Sequence, residues 1–181
     1  MPPVFGPGIV LLYGMTEPSL TPTMILLETS TTKSKPATCR TYASLRFMGD
    51  RLDPDRITAA LHATPTLAYR KGEIWKRPDG KRPGGREYRG RSGLWLLSTR
   101  RQFESIELED HFRELLKVLF PAGSIRLIEP LRVLMEKDGL RADVTCFWYG
   151  EHGAAPPVIS DETRAAFARI GAAIETDFQT D

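Results

Sequence analysis

A chain of 181 residues, 41% apolar and 27% charged, has the size and composition of one globular domain with a core of its own. A net charge of +2 does not by itself mark a nucleic-acid protein, and two cysteines, Cys39 and Cys146, are too few for a disulfide framework. Two free thiols in a reducing cytoplasm are the expectation.

Residues 1–38 are rich in Pro, Ser and Thr, and their first basic residue is Lys33. The apolar patches at 9–13 and 24–27 are far shorter than the roughly 18 residues of a membrane span, so no membrane partner is expected. GIVLLYGM lacks the positive start and cleavage pattern of a signal peptide. The segment reads as a poorly ordered extension, or as a short peptide that orders on a partner, ahead of a single domain over 39–181.

TYASLRFMG (41–49) alternates, with Ala43, Leu45 and Phe47 on one face, and predicts a first strand. Asp53 as N-cap, Pro54 at the first helical position and a Leu52–Ile57 staple predict a helix to about His62. TPTLAYR and SGLWLLS (92–98) read as two strands paired in a long hairpin. Leu108, Phe112, Leu115, Leu116 and Leu119 form one apolar helical stripe, with acids crowding its first turn.

A further helix is predicted over 125–138, where Pro130 either kinks it or marks its true start, with Gly139 at its end. RADVTCFWYG (141–150) carries apolar weight on both faces and predicts a central strand. Ser160 caps a last helix that stops at Gly171, and AIETDF closes the chain as a half-exposed strand with Ile174 and Phe178 inward. The order β-α-β-β-α-(α)-β-α-β predicts an α+β sandwich of ferredoxin-like character, an antiparallel or mixed sheet with helices on one face.

YASLRFMGDRLDPDRITAALHATPTLAYRKGE, RSGLWLLST, ELEDHFRELLKVL and ADVTCFWYG together resemble the bacterial domain-of-unknown-function family numbered 4279, over roughly residues 41–178. The most characteristic pieces are the D-LDPD opening, RKGE and GLW. The resemblance implies an uncharacterised bacterial protein and brings no reaction, cofactor or catalytic residue.

The charge is concentrated. Between Arg70 and Arg91 stand nine basic residues (Arg70, Lys71, Lys76, Arg77, Lys81, Arg82, Arg86, Arg89, Arg91) against Glu73, Asp79 and Glu87, a net +6 that leaves −4 for the rest. Arg77-Pro78-Asp79-Gly80 and Arg82-Pro83-Gly84-Gly85 are turn tetrads, so this is the loop of a hairpin. Three readings stand: a solvated tip, a grip on an acidic protein partner, or a nucleic-acid site with Trp75 or Tyr88 stacking on bases. RKGE reads as a strand-end bulge with Lys71 and Glu73 pairing across Gly72, or as a polar pocket in which Arg70 and Glu73 stand beside Trp95.

Other chemistry finds little support. His62, His111 and His152 lack metal-ligand spacing, no C-x-x-C or G-x-S-x-G exists, and the glycines fit no phosphate loop. Cys146 sits mid-strand among apolar residues, and the neighbours Glu109 and Asp110 read as solvated. The expectation is a non-enzymatic protein without cofactor or metal, binding an acidic protein partner through the basic hairpin. A nucleic-acid binder is the alternative, and an enzyme or small-ligand binder with a pocket near Arg70, Glu73 and Trp95 is the second.

Overall fold

The computed structural model describes residues 41–77, 86–151 and 153–180, within the unit Ala37–Asp181. The readings made for residues 1–38, Cys39, Lys81, Arg82, the bodies of the two turn tetrads and His152 lie outside the described residues.

The elements run β1 (Tyr42–Gly49), α1 (Pro54–Leu61), β2 (Leu67–Tyr69), β3 (Ile74–Arg77), β4 (Arg86–Arg89), β5 (Gly93–Ser98) and α2 (Leu108–Leu119). A 3-10 turn (Pro121–Gly123), α3 (Ile128–Asp138), β6 (Arg141–Gly150), α4 (Asp161–Ala168) and β7 (Ala173–Thr180) follow. Among the described residues this is an α+β architecture with a five-stranded sheet ordered β2-β5-β1-β6-β7 and a separate two-stranded ribbon, β3-β4. The sheet is mixed, because β7 returns parallel to β6 after the α4 crossover while the other pairings are antiparallel.

Local signals explain most boundaries. Asp53 caps α1 by accepting the Asp55 backbone N–H at 3.2 Å, and Ser160 caps α4 by accepting that of Thr163, also at 3.2 Å. Pro130 is the third residue of α3, where its missing N–H has no intrahelical partner to lose, so it marks the start rather than a kink. Gly139, at φ +62°, closes that helix in the left-handed conformation.

The long hairpin forms with a break in its ladder. β2 pairs with β5 from Leu67↔Leu96 to Tyr69↔Leu94, and β3 pairs with β4 from Ile74↔Arg89 to Arg77↔Arg86. Four residues intervene on each strand, Arg70–Glu73 and Gly90–Gly93, so the register is unbroken although the ribbon counts as a sheet of its own.

One side of the five-stranded sheet is covered. Ala43, Leu45 and Phe47 of β1, Trp95 of β5, and Val144 and Cys146 of β6 meet Ile57 and Leu61 of α1, Phe112 and Leu115 of α2, Leu131 of α3 and Phe167 of α4 in one core. The four described α-helices thus pack on one face. The opposite face presents Tyr42, Met48, Leu67, Tyr69, Leu94, Leu96 and Phe147, all half-buried and none part of that core. No described helix covers it.

Candidate interaction surface

The ribbon is rooted in RKGE. Arg70 to Glu73 fold as a β-turn closed by the Glu73 N–H donating to the Arg70 carbonyl at 3.1 Å, with Gly72 at φ +82°. That angle is the third-position geometry of a turn that favours glycine. The Glu73 carboxylate accepts the Arg70 N–H at 2.7 Å, and Gly72 and Gly90 hydrogen-bond across the strands at 2.8 Å. Gly72 thus serves the turn and the expected bulge together, since Gly72 and Glu73 share the single partner Gly90 across the strands, the Gly90 N–H donating to the Glu73 carbonyl at 2.9 Å, while Lys71 does not pair with Glu73 but with Asp50.

The cations of this motif reach back to the β1–α1 loop. Arg70 Nη2 lies 2.6 Å from both the Asp53 and Asp55 carboxylates, and Lys71 pairs with Asp50. The carboxylates of Asp55 and Asp53 hold the Arg70 guanidinium more firmly protonated. GLW completes the corner. A Cβ on Gly93 would stand 2.8 Å from Leu52 Cβ and 2.9 Å from the Gly49 carbonyl, and the Trp95 indole N–H donates to Thr58 Oγ1 at 3.0 Å. D-LDPD, RKGE and GLW thus form one clamp holding the ribbon to the sheet.

Aromatic rings continue from that root. Trp75 stacks on Tyr69 at 5.3 Å and on its cross-strand partner Tyr88 at 4.9 Å, with interplanar angles of 5° and 21°. Tyr69 lies against the backbone of Gly90, where a Cβ would be 2.7 Å from the ring. Partial burial pushes the Tyr69 phenol above its ordinary range. The stack joins the apolar strip of Leu67, Leu94 and Leu96 on the helix-free face.

The predicted residues that are described fall in four places. Arg70, Lys71 and Glu73 belong to the clamp. Trp75, Tyr88, Lys76 and Arg89 lie on the ribbon, where Lys76 pairs with Glu87 at 3.3 Å and Arg89 donates to the Gly72 carbonyl at 3.3 Å. Arg77 and Arg86 face each other in the register, and Arg91 is exposed in the connection to β5. Trp95 leaves the surface altogether: it is 0% exposed, its ring edge-on to Phe47, because β5 turns it into the helix-covered core. The pocket expected beside Trp95 therefore has no access to it, and Arg70 and Glu73 spend their polar groups on the turn and the clamp.

Among the described residues, two of the cavities lie elsewhere. One of about 220 Å³ sits between the end of β5 and α2, lined by Leu97, Phe103, Leu115 and Val118 with Ser98 and Gln102 at its polar side. The other, about 580 Å³, is a polar groove between α3 and the end of α4, lined by Arg132, Glu136 and Arg169. Among the described residues, no three of His, Cys, Asp and Glu are grouped to hold a metal. No described helix is long and apolar enough to cross a membrane.

Several polar residues proved structural. His111 is 0% exposed, with Nε2 3.0 Å from the Ser105 carbonyl and Nδ1 2.8 Å from Thr99 Oγ1. Because a carbonyl only accepts, Nε2 carries a proton. Glu109 accepts the Ser160 N–H and the Thr163 hydroxyl, each at 2.7 Å, tying α2 to α4. A hydrogen bond from Ser105 and the Arg113 guanidinium hold Asp110 below the usual carboxylate range. These two acids are thus engaged rather than solvated. Sequence reasoning missed the strip of Met48, Leu67, Leu94 and Leu96, whose signal was alternation in strands that have only one covered face.

No curated protein and no solved structure matches this chain. The family model of DUF4279, a domain of unknown function, matches residues 38–181, which takes in every described element, and the chain belongs to that family.

Proposed function

We propose that this protein is a non-enzymatic binding module that engages an acidic protein partner through the ribbon and the adjoining helix-free face of the sheet. The observation that carries the reading is the continuity of the Tyr69–Trp75–Tyr88 stack with the apolar strip of Leu67, Leu94 and Leu96. Aromatic anchors beside aliphatic surface, edged by arginines, are the composition of protein interfaces. Base stacking needs a free ring face, and Trp75 already stacks on two rings, which favours protein over nucleic acid.

The same reading includes a ferredoxin-like topology, supported by the run β2-β5-β1-β6 in which β1 and β2 flank β5 and both run antiparallel to it. It also includes a bacterial, cytoplasmic setting, supported by the family resemblance and by a buried cysteine without a disulfide.

The test is an affinity capture from host extract with the full chain, with and without nuclease, beside Leu96→Glu. A single identified protein, captured stoichiometrically, resistant to nuclease and lost with Leu96→Glu, is the expected result. Recovery of nucleic acid alone, or of the same proteins by the variant, overturns the reading.

A further inference from the structure

The cavity of about 220 Å³ between the end of β5 and α2 is lined by two kinds of structure. Leu97 of β5 and Leu115 and Val118 of α2 supply apolar surface from ordinary strand and helix packing. Gln102 and Phe103 come from the loop that follows β5, and that loop is firmly held. The Thr99 carbonyl accepts the N–H groups of Gln102 and Phe103 at 3.1 and 3.0 Å, turning the chain back through Arg101 at φ +67°. That left-handed angle favours glycine, and an arginine keeps it only where surrounding bonds over-determine the backbone. The buried His111 ring supplies such bonds. It joins Thr99 Oγ1 to the Ser105 carbonyl, and Phe103 stands edge-on to it at 5.2 Å. A strained, fixed loop beside an open apolar space is the preorganisation of a ligand site, whereas a core would have closed the gap.

The polar groups of this cavity select the ligand's chemistry. Thr66 Oγ1 donates its one proton to the Ser98 carbonyl at 3.5 Å, so Gln102 meets it with its amide nitrogen, also at 3.5 Å, and the Gln102 carbonyl oxygen is left to accept. Glu114 gives one carboxylate oxygen to Lys117, and the other has no partner among the described residues. Both remaining groups are acceptors, one of them charged, at the border of an apolar space. Their complement is a primary ammonium on a compact apolar body. An apolar cavity of about 150 Å³ takes up a benzene molecule, so one of about 220 Å³ takes a single ring with a short arm.

We propose that this cavity binds a small primary amine, its apolar body between Leu97, Phe103, Leu115 and Val118 and its ammonium at Glu114 and Gln102. The site is separate from the ribbon, so the inference goes beyond the protein-binding reading and does not depend on it.

The experiment titrates the full chain with 2-phenylethylamine near neutral pH and follows the backbone amide shifts, with 2-phenylethanol and phenylacetate as neutral and anionic probes of similar size. Saturable, submillimolar binding of the amine, with shifts centred on Leu97, Gln102, Phe103 and Val118, is the expected result. Absence of saturation, shifts centred elsewhere, or tighter binding of the alcohol or the acid each overturns the inference.

Glu114→Gln keeps the shape of the side chain and removes its charge. It should weaken the amine roughly tenfold, as loss of a charge-assisted hydrogen bond does, and change the alcohol by less than about twofold. Equal weakening of both probes, or of neither, overturns the ammonium assignment and the inference with it. Lys117→Gln leaves the cavity lining intact and frees the second carboxylate oxygen, so amine affinity should hold or rise; a fall to the level of Glu114→Gln overturns the inference.

Discussion

Phe47 and Phe147 have the same side chain on neighbouring strands of one sheet, and their surroundings differ completely. Phe47 is 0% exposed, edge-on to Trp95 beneath the helices. Phe147 is half-buried on the helix-free face, stacked on Tyr42 at 5.2 Å. The covered face is specified by packing, so its residues answer to stability. On the helix-free face Ser44, Ser98 and Asp143 are buried in a hydrogen bond and an ion pair, whereas its half-buried apolar residues add less to folding and are free to answer to a partner. Truncating the two rings tests this contrast with the largest effect. Phe47→Ala should cost about 3–5 kcal/mol in denaturant unfolding. Phe147→Ala should cost only about 0.5–1.5 kcal/mol, the worth of a stacked pair. Equal costs would mean that the second face is packed as well.

His111 sharpens the contrast within the covered half, where a polar side chain sits among apolar ones. His111→Leu keeps the volume but removes the bonds to Thr99 Oγ1 and the Ser105 carbonyl, while Thr99 Oγ1 keeps the Ala43 N–H and carbonyl as partners. A loss of about 1–2 kcal/mol is expected from the two hydrogen bonds, read as a lower midpoint at unchanged slope.

Burial also pushes the Cys146 thiol up to about 11, against 9.0 for an unperturbed cysteine, with Arg164 partly opposing the shift. Below pH 9 both folded and unfolded thiols hold their protons and the effect is absent. Between 9 and 11 the unfolded chain gives up its proton first, so stability declines as pH rises through that window. The decline should be on the order of 2 kcal/mol and should be missing in Cys146→Ala. A native thiol titrating near 9 would place Cys146 closer to water than its position in β6 requires.

How much of this was legible in the sequence depends on how far each signal had to travel. The Asp53 and Ser160 caps, the stop at Gly139 and the alternation of β1 are written within a few residues of where they act, and they were read correctly. The clamp was not, because Arg70 meets Asp53 and Asp55 from 17 and 15 residues away and only the fold brings them together. Trp95 failed for a related reason. GLW fixed that a strand was there, but which face carried the indole depended on pairing with β1. The ribbon was read as loop because its turn residues outweigh eight strand residues of weak alternation, and its register exists only once β2 and β5 have paired.

Arg70→Ala addresses the joint between the two regions. Its ion pairs are half-exposed, so the global loss of stability should be small. The local consequence is larger: with the clamp opened, the Trp75–Tyr69 contact loosens, and tryptophan emission should shift red and become more accessible to quencher. An unchanged spectrum would show that Gly72, Gly90 and the Glu73 carboxylate hold the ribbon root without it.

The smallest effect is expected where the basic charge first drew attention. Arg77 and Arg86 are opposite one another, so residues 78–85 can be replaced by Asn-Gly, the two-residue turn whose twist matches an antiparallel ribbon. Because the exchange leaves the β3–β4 register and the clamp intact, stability should stay within about 0.5 kcal/mol. The exchange also removes Lys81 and Arg82. Capture of the protein partner should therefore fall by less than about threefold if the ribbon face carries the binding, since the remaining cost is long-range and screened. A tenfold fall would move the contact from the ribbon to residues 78–85, and the division between a stable half and a binding half would then run through that connection instead of between the two faces of the sheet.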